Sequence, residues 1–238
     1  PRAEPSIRGY ILAMIERSSG QSDQGSPPAH ELVAIIGVGG VFPGAPDANR
    51  FWDNILAGRN SIREIPADRL DPQSFFDLDP DAVDGTTCRV AGVVEDIGFQ
   101  AKAFRIPPLM ARSMDRVHKM ALVAASEAMR DAGYHDRDYD RDRAAVILGH
   151  AGQTEKVAEV NRRVQQHLVD AELRRALTET GVANDRIELV VERTRGWLLG
   201  GTHPVTEDSL AGCLPNVAAA RVASCFGMRG PSYVVDAA

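Results

Sequence analysis

The stretch Pro215-Asn216-Val217-Ala218-Ala219-Ala220-Arg221-Val222-Ala223-Ser224-Cys225-Phe226, then Gly227 to Pro231, then Ser232-Tyr233-Val234-Val235-Asp236, decides the fold class. Pro215 suits the first turn of a helix, where its missing N–H has no intrahelical partner to lose. Gly227 to Pro231 turns the chain, and Ser232 to Asp236 reads as a final strand. Working back from it, Ala144 to Leu148 is another short buried strand. Leu32-Val33-Ala34-Ile35-Ile36 is apolar on both faces and β-branched, which predicts a third buried strand. Strands followed by helices predict an α/β domain.

Between these strands the helix signals are clear. Asp47 is placed to cap a helix over about 48–57, with Gly58 as its stop and Phe51, Trp52, Ile55 and Leu56 as its apolar face. From Met114 to Ala132, residues Val117, Met120, Ala121, Ala124, Ala125 and Ala128 recur at helical spacing, and Gly133 sits just past the end. That small-residue face predicts close packing against another element. Thr154 is placed to cap a long helix through about Thr180, ended by Gly181. Its apolar stripe is Val157, Val160, Val164 and Leu168, and the remainder is charged, so it lies on the surface. Ile187 to Leu199 predicts a further helix with Trp197 on its apolar side. Asp208 or Ser209 precedes the helix that begins at Pro215. Residues 59–110 show little periodicity beyond a short strand around Arg89 to Val94, and Asp136 to Arg143 reads as a solvated loop. Residues 1–30 differ from the rest: Ile7, Ile11, Leu12 and Ile15 form a short helical arm, and Ser18 to Pro28 a flexible linker.

The chain has 238 residues, enough to bury a core without a disulfide or metal. Its net charge of −6 argues against general binding of phosphate backbones. The longest apolar run, residues 32–42, is far short of the roughly 20 residues of a membrane span. Three widely spaced cysteines, Cys88, Cys213 and Cys225, without a CxxC pair, suit a reducing compartment. No signal peptide is legible, so a cytoplasmic protein is expected.

Several tempting motifs fail. The Gly37, Gly39 and Gly40 turn lacks the third glycine of a dinucleotide fingerprint, with Phe42 in its place and Pro43 delaying the helix. Asp77, Asp79 and Asp81 open like a calcium loop, but Ala82 and Cys88 stand where Gly and a bidentate Glu are required. The series Asp136, Asp138, Asp140, Asp142 fails likewise at Arg141 and Ile147. His118 reads as a packing or capping residue. His150 follows a buried strand, where α/β active-site loops sit, but has no visible partner. Cys213 and Cys225 have no basic neighbour in sequence and read as small core residues. The residues by themselves contain no complete catalytic constellation.

Three stretches together resemble the N-terminal part of a β-ketoacyl synthase, the condensing domain of polyketide and fatty-acid synthases. Residues 34–44, with Phe51-Trp52-Asp53 and Leu56-Ala57-Gly58, are similar to its opening strand, FPG turn and FW helix. Met114-Asp115 through Ala132-Gly133 is similar to its MD helix. Ser209-Leu210, Asn216, Ala220-Arg221-Val222, Phe226, Gly230-Pro231-Ser232 and Val235-Asp236-Ala237-Ala238 are similar to its run into the nucleophile. The resemblance covers residues 31–238, with a less typical insertion across about 150–205.

The resemblance implies a thiolase-like layered αβαβα fold, of which this chain holds the first half, ending just before the helix that bears the nucleophile. It implies a nucleophilic cysteine directly after Ala238, with two histidines further on. No catalytic, cofactor or metal residue can therefore be assigned to any position here, and the chain is expected to be part of a longer one. The strand Ser232, Tyr233, Val234, Val235 and Asp236 is implied to pair across a homodimer. The implied activity is decarboxylative Claisen condensation of an acyl thioester with a malonyl thioester. Both substrates are carried on the phosphopantetheine of acyl carrier protein, and no cofactor is bound directly. Neither nucleic acid nor membrane is an expected partner. The opening turn lacks the Cys-Arg of modular polyketide synthases, and Asp115-Arg116-Val117 replaces the usual DPQ. Phe104-Arg105-Ile106-Pro107-Pro108 and Ala237 look more like iterative synthases of polyunsaturated fatty acids or enediyne cores. The alternative is a non-catalytic, ketosynthase-like module for dimerisation or carrier-protein docking.

Overall fold

A computed structural model describes residues 33–71, 75–79, 81, 83–152 and 154–236. The expected arm and linker of residues 1–30 lie outside the described residues, as do Leu32, Ala237 and Ala238. The chain divides into two compact units.

The first unit holds residues 33–99 and 123–139. Helix α1 (Ala48–Leu56) is capped as predicted: the Asp47 carboxylate accepts the Arg50 N–H at 2.7 Å. Gly58, at φ +63°, takes the chain away from its end. Phe42 stacks on Phe51 with ring centroids 4.1 Å apart. Strands β1 (Ile62–Glu64) and β2 (Val90–Gly92) pair antiparallel, Arg63 opposite Ala91. The later turns of α3 (Arg116–Asp131) complete the unit, and Gly133, at φ +76°, ends that helix.

The predicted strand at 32–36 does not form among the described residues. Residues 33–40 belong to no ladder, and Val33 and Ile35 are 92% and 69% exposed. A strand needs a partner strand for its backbone groups, and residues 33–36 have none in a ladder; just after them the chain is tied by side chains instead. The Val38 N–H goes to the Asp131 carboxylate at 2.9 Å and the Gly40 N–H to Glu127 at 2.8 Å. The second Glu127 oxygen accepts the Ala48 N–H at 2.8 Å, placing a carboxylate at the start of α1, where the helix dipole favours it. The glycines serve this contact rather than a nucleotide. A Cβ on Gly37 would stand 2.3 Å from the Ala128 carbonyl oxygen, and one on Gly39 2.4 Å from that of Ala124. The Ala-rich face of α3 therefore packs closely, as its composition predicts, and its neighbour is an extended backbone.

The second unit holds residues 100–122 and 140–236. After a 3₁₀ turn (Ala101–Phe104) come α2 (Pro108–Ser113) and the first turns of α3. Strand β3 (Val146–Gly149) is followed by α4 (Glu155–Glu179), α5 (Asn184–Leu199), α6 (Glu207–Cys213), α7 (Pro215–Phe226) and β4 (Ser232–Val235). Strands β3 and β4 pair in parallel, Val146 opposite Ser232 and Gly149 opposite Val235. Helix α7 packs on both strands through Ala218, Ala219, Val222 and Ala223, all buried. Alanines let the helix lie close to the sheet, and Gly227, at φ +68°, reverses the chain into β4.

Helices α4 and α5 form a hairpin within the region read as an insertion. The Thr154 hydroxyl accepts the Val157 N–H at 3.3 Å, and Gly181, at φ +76°, closes α4. Two expectations change here. Trp197 is not on a packed side; it is 78% exposed. Val164 and Leu168 are likewise exposed, while Gln166 and Asp170 are buried in their place. The cause is one polar cluster: Gln166 donates to Asp170 at 2.8 Å, and Arg195 Nε donates to Asp170 at 3.0 Å. Asp170 is thus paired on both sides, and this polar seam lies beside Ile187 and Val191, although the Gln166 Oε1 is buried without a partner. Helix α6 is a further departure. Thr206 and Ser209 form a reciprocal cap that starts a helix at Glu207, so Asp208 and Ser209 lie inside α6, and Leu214 precedes α7. No helix among the described residues is long and apolar enough to cross a membrane.

Candidate active site at the ends of the parallel strands

In α/β proteins, chemistry gathers at the carboxyl ends of parallel strands. Here β3 and β4 end side by side, and the His150 N–H donates to the Val235 carbonyl at 3.0 Å. Pro215, at the start of α7, lies close to Gly152 just beyond His150. Asp236 follows Val235 directly. Of the strand predicted over Ser232 to Asp236, Ser232, Tyr233, Val234 and Val235 are in β4.

A buried cluster supports this end of the unit. Met114 and Asp115 are 1% and 2% exposed. The Asp115 N–H donates to the Gly212 carbonyl at 2.8 Å, which brings the chain entering α3 against α6. The crossing is tight enough that a Cβ on Gly212 would be 1.9 Å from the Ser113 oxygen. One Asp115 oxygen accepts the Val117 N–H at 2.9 Å, and the other accepts the Lys156 N–H at 2.9 Å. A single carboxylate therefore serves the first turns of both α3 and α4.

His118, one turn further on, is completely buried. Its Nε2 lies 3.1 Å from the Leu214 carbonyl oxygen. A carbonyl only accepts, so Nε2 carries the proton and Nδ1 is a bare acceptor, without a partner. Burial, and then the Arg221 guanidinium, lower the His118 pKa to about 4, so the ring is neutral at pH 7. His150 is the second histidine of the site: its Nδ1 accepts the Gly152 N–H at 3.3 Å, and its Nε2 is buried without a partner. His118 thus has the packing role its sequence position suggests. His150 stands at the strand end, as predicted, and acts electrostatically on His118.

The thiols are silent. Cys213 is buried, and burial, then the Asp115 charge, push its pKa up. Burial also raises the Cys225 pKa; its Sγ lies 3.6 Å from the Phe104 carbonyl oxygen. Thiols held protonated are poor nucleophiles, which agrees with reading both as core residues. Cys88 is exposed in the other unit. Among the described residues no group of three or more His, Cys, Asp or Glu side chains is placed to hold a metal. Sequence reasoning missed the double role of Asp115. Its signal was the Met114-Asp115 pair, an apolar residue and a cap together at a helix start.

Arg221, on α7, anchors the other flank. Its Nη2 donates to the Ala211 carbonyl at 3.2 Å, and its Nη1 lies 3.1 Å from the Met110 sulfur. Burial lowers its pKa. The described residues thus form a tightly tied platform with a neutral imidazole at the ends of two parallel strands. They contain no nucleophile joined to a base.

Known proteins of this architecture supply the context. Over 121 residues the chain is 40% identical to one component of the phenolphthiocerol/phthiocerol polyketide synthase of Mycobacterium tuberculosis (strain CDC 1551 / Oshkosh), covering 50% of this chain and 8% of that protein. Over 210 residues it is 27% identical to one component of the polyunsaturated fatty acid synthase of Thraustochytrium sp., covering 87% of this chain and 7% of that protein. Among solved structures, the ketosynthase from module 6 of the bacillaene synthase of Bacillus subtilis 168 superposes with a TM-score of 0.51 at 26% identity. That match covers 85% of this chain and 26% of the other. The chain thus spans less than a tenth of these synthases and about a quarter of the solved ketosynthase chain. Its α/β fold is of the thiolase-like ketosynthase class. Residues 30–238 match the β-ketoacyl synthase N-terminal domain, so the strands that end at Gly149 and Val235 are those of a member of the β-ketoacyl synthase family.

Proposed function

We propose that this chain supplies the front part of a ketosynthase condensing domain within a larger cytoplasmic synthase. The observation that carries the reading is the parallel pair β3 and β4, locked at its carboxyl end by the His150 to Val235 hydrogen bond, with Asp236 next in the chain. A strand held this firmly fixes the direction in which the following residues leave the sheet. In our reading the residue after Ala238 in the natural polypeptide is a cysteine at the start of a helix, whose N-terminus favours the thiolate.

That thiolate attacks the carbonyl of an acyl thioester on acyl carrier protein, and the phosphopantetheine thiol leaves. A malonyl thioester then loses CO₂, and the resulting enolate attacks the acyl-cysteine. The cysteine thiolate departs, and a β-ketoacyl thioester remains on the carrier. The residues described here position rather than react. Asp115, His118 and Arg221 fix α3, α4 and α7 around the strand ends, and a neutral His118 adds no charge that would compete for the thiolate. The phosphopantetheine arm arrives with the carrier and is not a resident cofactor.

A homodimer joined through Ser232 to Asp236 accompanies this reading. It is supported by the exposure of Ile147, Tyr233 and Val235, since parallel sheets are normally covered on both faces. An iterative, polyunsaturated-fatty-acid type of synthase rests in this reading on Phe104-Arg105-Ile106-Pro107-Pro108 and Ala237, which look more like that type.

The test is turnover by the natural polypeptide. Supplied with acyl and malonyl thioesters on carrier protein, it should release CO₂ together with a β-ketoacyl product. Carrier binding without either product would favour the non-catalytic docking module.

A further inference from the structure

Helix α5 carries charge on two sides that differ in one respect. On one side Glu188 and Glu192 are held by arginines of this chain: Arg174 Nε lies 2.8 Å from Glu188, and Arg195 Nη1 2.7 Å from Glu192. On another side Arg186, Val190, Arg193 and Trp197 recur at spacings of four, three and four, which stacks them in one stripe. All four are exposed, Trp197 at 78%, and Leu189 flanks them at 53%. Ile187 and Val191 occupy the seam with α4, so the stripe lies to one side of it.

Arg186 and Arg193 take part in none of the ion pairs or side-chain hydrogen bonds among the described residues, whereas Arg174, Arg175 and Arg195 each hold a carboxylate. Nothing lies within 4 Å of a Cβ built on Gly196, so the approach to the neighbouring Trp197 is open. The stripe thus offers two aliphatic side chains, Leu189 and Val190, between two uncompensated guanidinium groups, with an exposed indole one turn beyond Arg193. Exposed Trp and Arg are the residue types that dominate the energy of protein interfaces.

We propose that this stripe docks an acidic amphipathic helix of a second polypeptide. Seven residues separate Arg186 from Arg193, about 10 Å along the axis. Carboxylates two turns apart on a facing helix match that span, with an apolar residue between them meeting Val190 and another one turn beyond them meeting Trp197. Charge complementarity selects an acidic partner. A nucleic acid is disfavoured because Asp185, Glu188 and Glu192 share the helix and the whole chain carries −6. The inference is independent of the condensing activity.

The experiment uses the full natural polypeptide and a fluorescein-labelled helical peptide with leucines flanked by glutamates two turns apart, read by anisotropy. Binding is expected, weakening as salt rises. R186E/R193E should weaken it by about tenfold or more, and W197A by about tenfold. Thermal melts of these surface variants check the fold, with R186Q/R193Q as a milder pair. Absence of binding would overturn the proposal. So would equal binding of a peptide with lysine in place of each glutamate, since charge would then play no part. Tighter binding of poly(dT) that the same variants abolish would reassign the stripe to polyanions. Self-association lost in W197A would give it to a second copy of this chain.

Discussion

The Nε2 of His118 donates to the carbonyl of Leu214 at 3.1 Å, joining α3 to the residue before α7 across 96 positions of sequence. The bond is made in a site that excludes water, so its loss is not repaired by solvent. Replacing His118 with Leu should leave the Leu214 oxygen unsatisfied and cost about 1–3 kcal/mol in a urea melt. His118→Gln retains a donor and should recover part of that loss.

The same histidine makes stability depend on pH in a predictable direction. Its folded pKa lies near 4, lowered from 6.5 by burial and by Arg221. Above pH 6.5 neither the folded nor the unfolded state binds this proton, and its contribution is complete. As pH falls from 6.5 towards 4, the unfolded state protonates and the folded state does not, so stability declines. Denaturation midpoints across that window should fall in the parent and flatten in His118→Gln. A parent curve flat to pH 4 would contradict the neutral buried ring.

Asp115 ties two helix starts with two oxygens. Asp115→Ala should cost about 2 kcal/mol or more, the sum of two lost caps. Asp115→Asn keeps one acceptor and should fall between. Equilibrium unfolding of the three proteins checks the order.

Glycine substitutions separate close contact from open space. Gly39→Ala places a methyl 2.4 Å from the Ala124 oxygen, and Gly212→Ala places one 1.9 Å from the Ser113 oxygen. Each should destabilise by about 3 kcal/mol. Gly196→Ala, in open space within a helix, should instead stabilise by about 1 kcal/mol. Thermal melts distinguish the two signs.

Ion pairs in the α4–α5 hairpin should rank by burial. Asp170 is 3% exposed and joined to Arg195, whereas Glu172 and Arg175 are both solvated. Arg195→Met strands a buried carboxylate and should lower the melting temperature clearly more than Arg175→Met. Equal effects would contradict the buried seam.

Much of this structure was legible in the sequence because local chemistry decided it. Asp47, Gly58, Thr154, Gly181 and Gly227 mark helix ends by capping and by positive φ, and those ends lie within a residue or so of expectation. Partners were harder to read. Residues 32–36 look like a buried strand by composition, but pairing depends on what the rest of the fold offers: residues 33–36 join no ladder, and the chain is tied only just after them, where Val38 and Gly40 reach Asp131 and Glu127. The apolar stripe of α4 failed for the opposite reason. Gln166 and Asp170 are polar and still take the seam, because Arg195 reaches Asp170 from 25 residues away. At the candidate site, periodicity placed His118 on a helix but gave no sign of Leu214 as its partner, since that bond exists only in three dimensions.

In the proposed condensing domain, β4 delivers a nucleophilic cysteine to the end of the sheet. Mass spectrometry of the natural polypeptide, incubated with an acyl thioester and digested, should find the acyl mass on a cysteine directly after Ala238, in the peptide that contains Tyr233 to Asp236. A different residue at that position, or a cysteine there that stays unmodified while acyl groups are consumed, would contradict the claim.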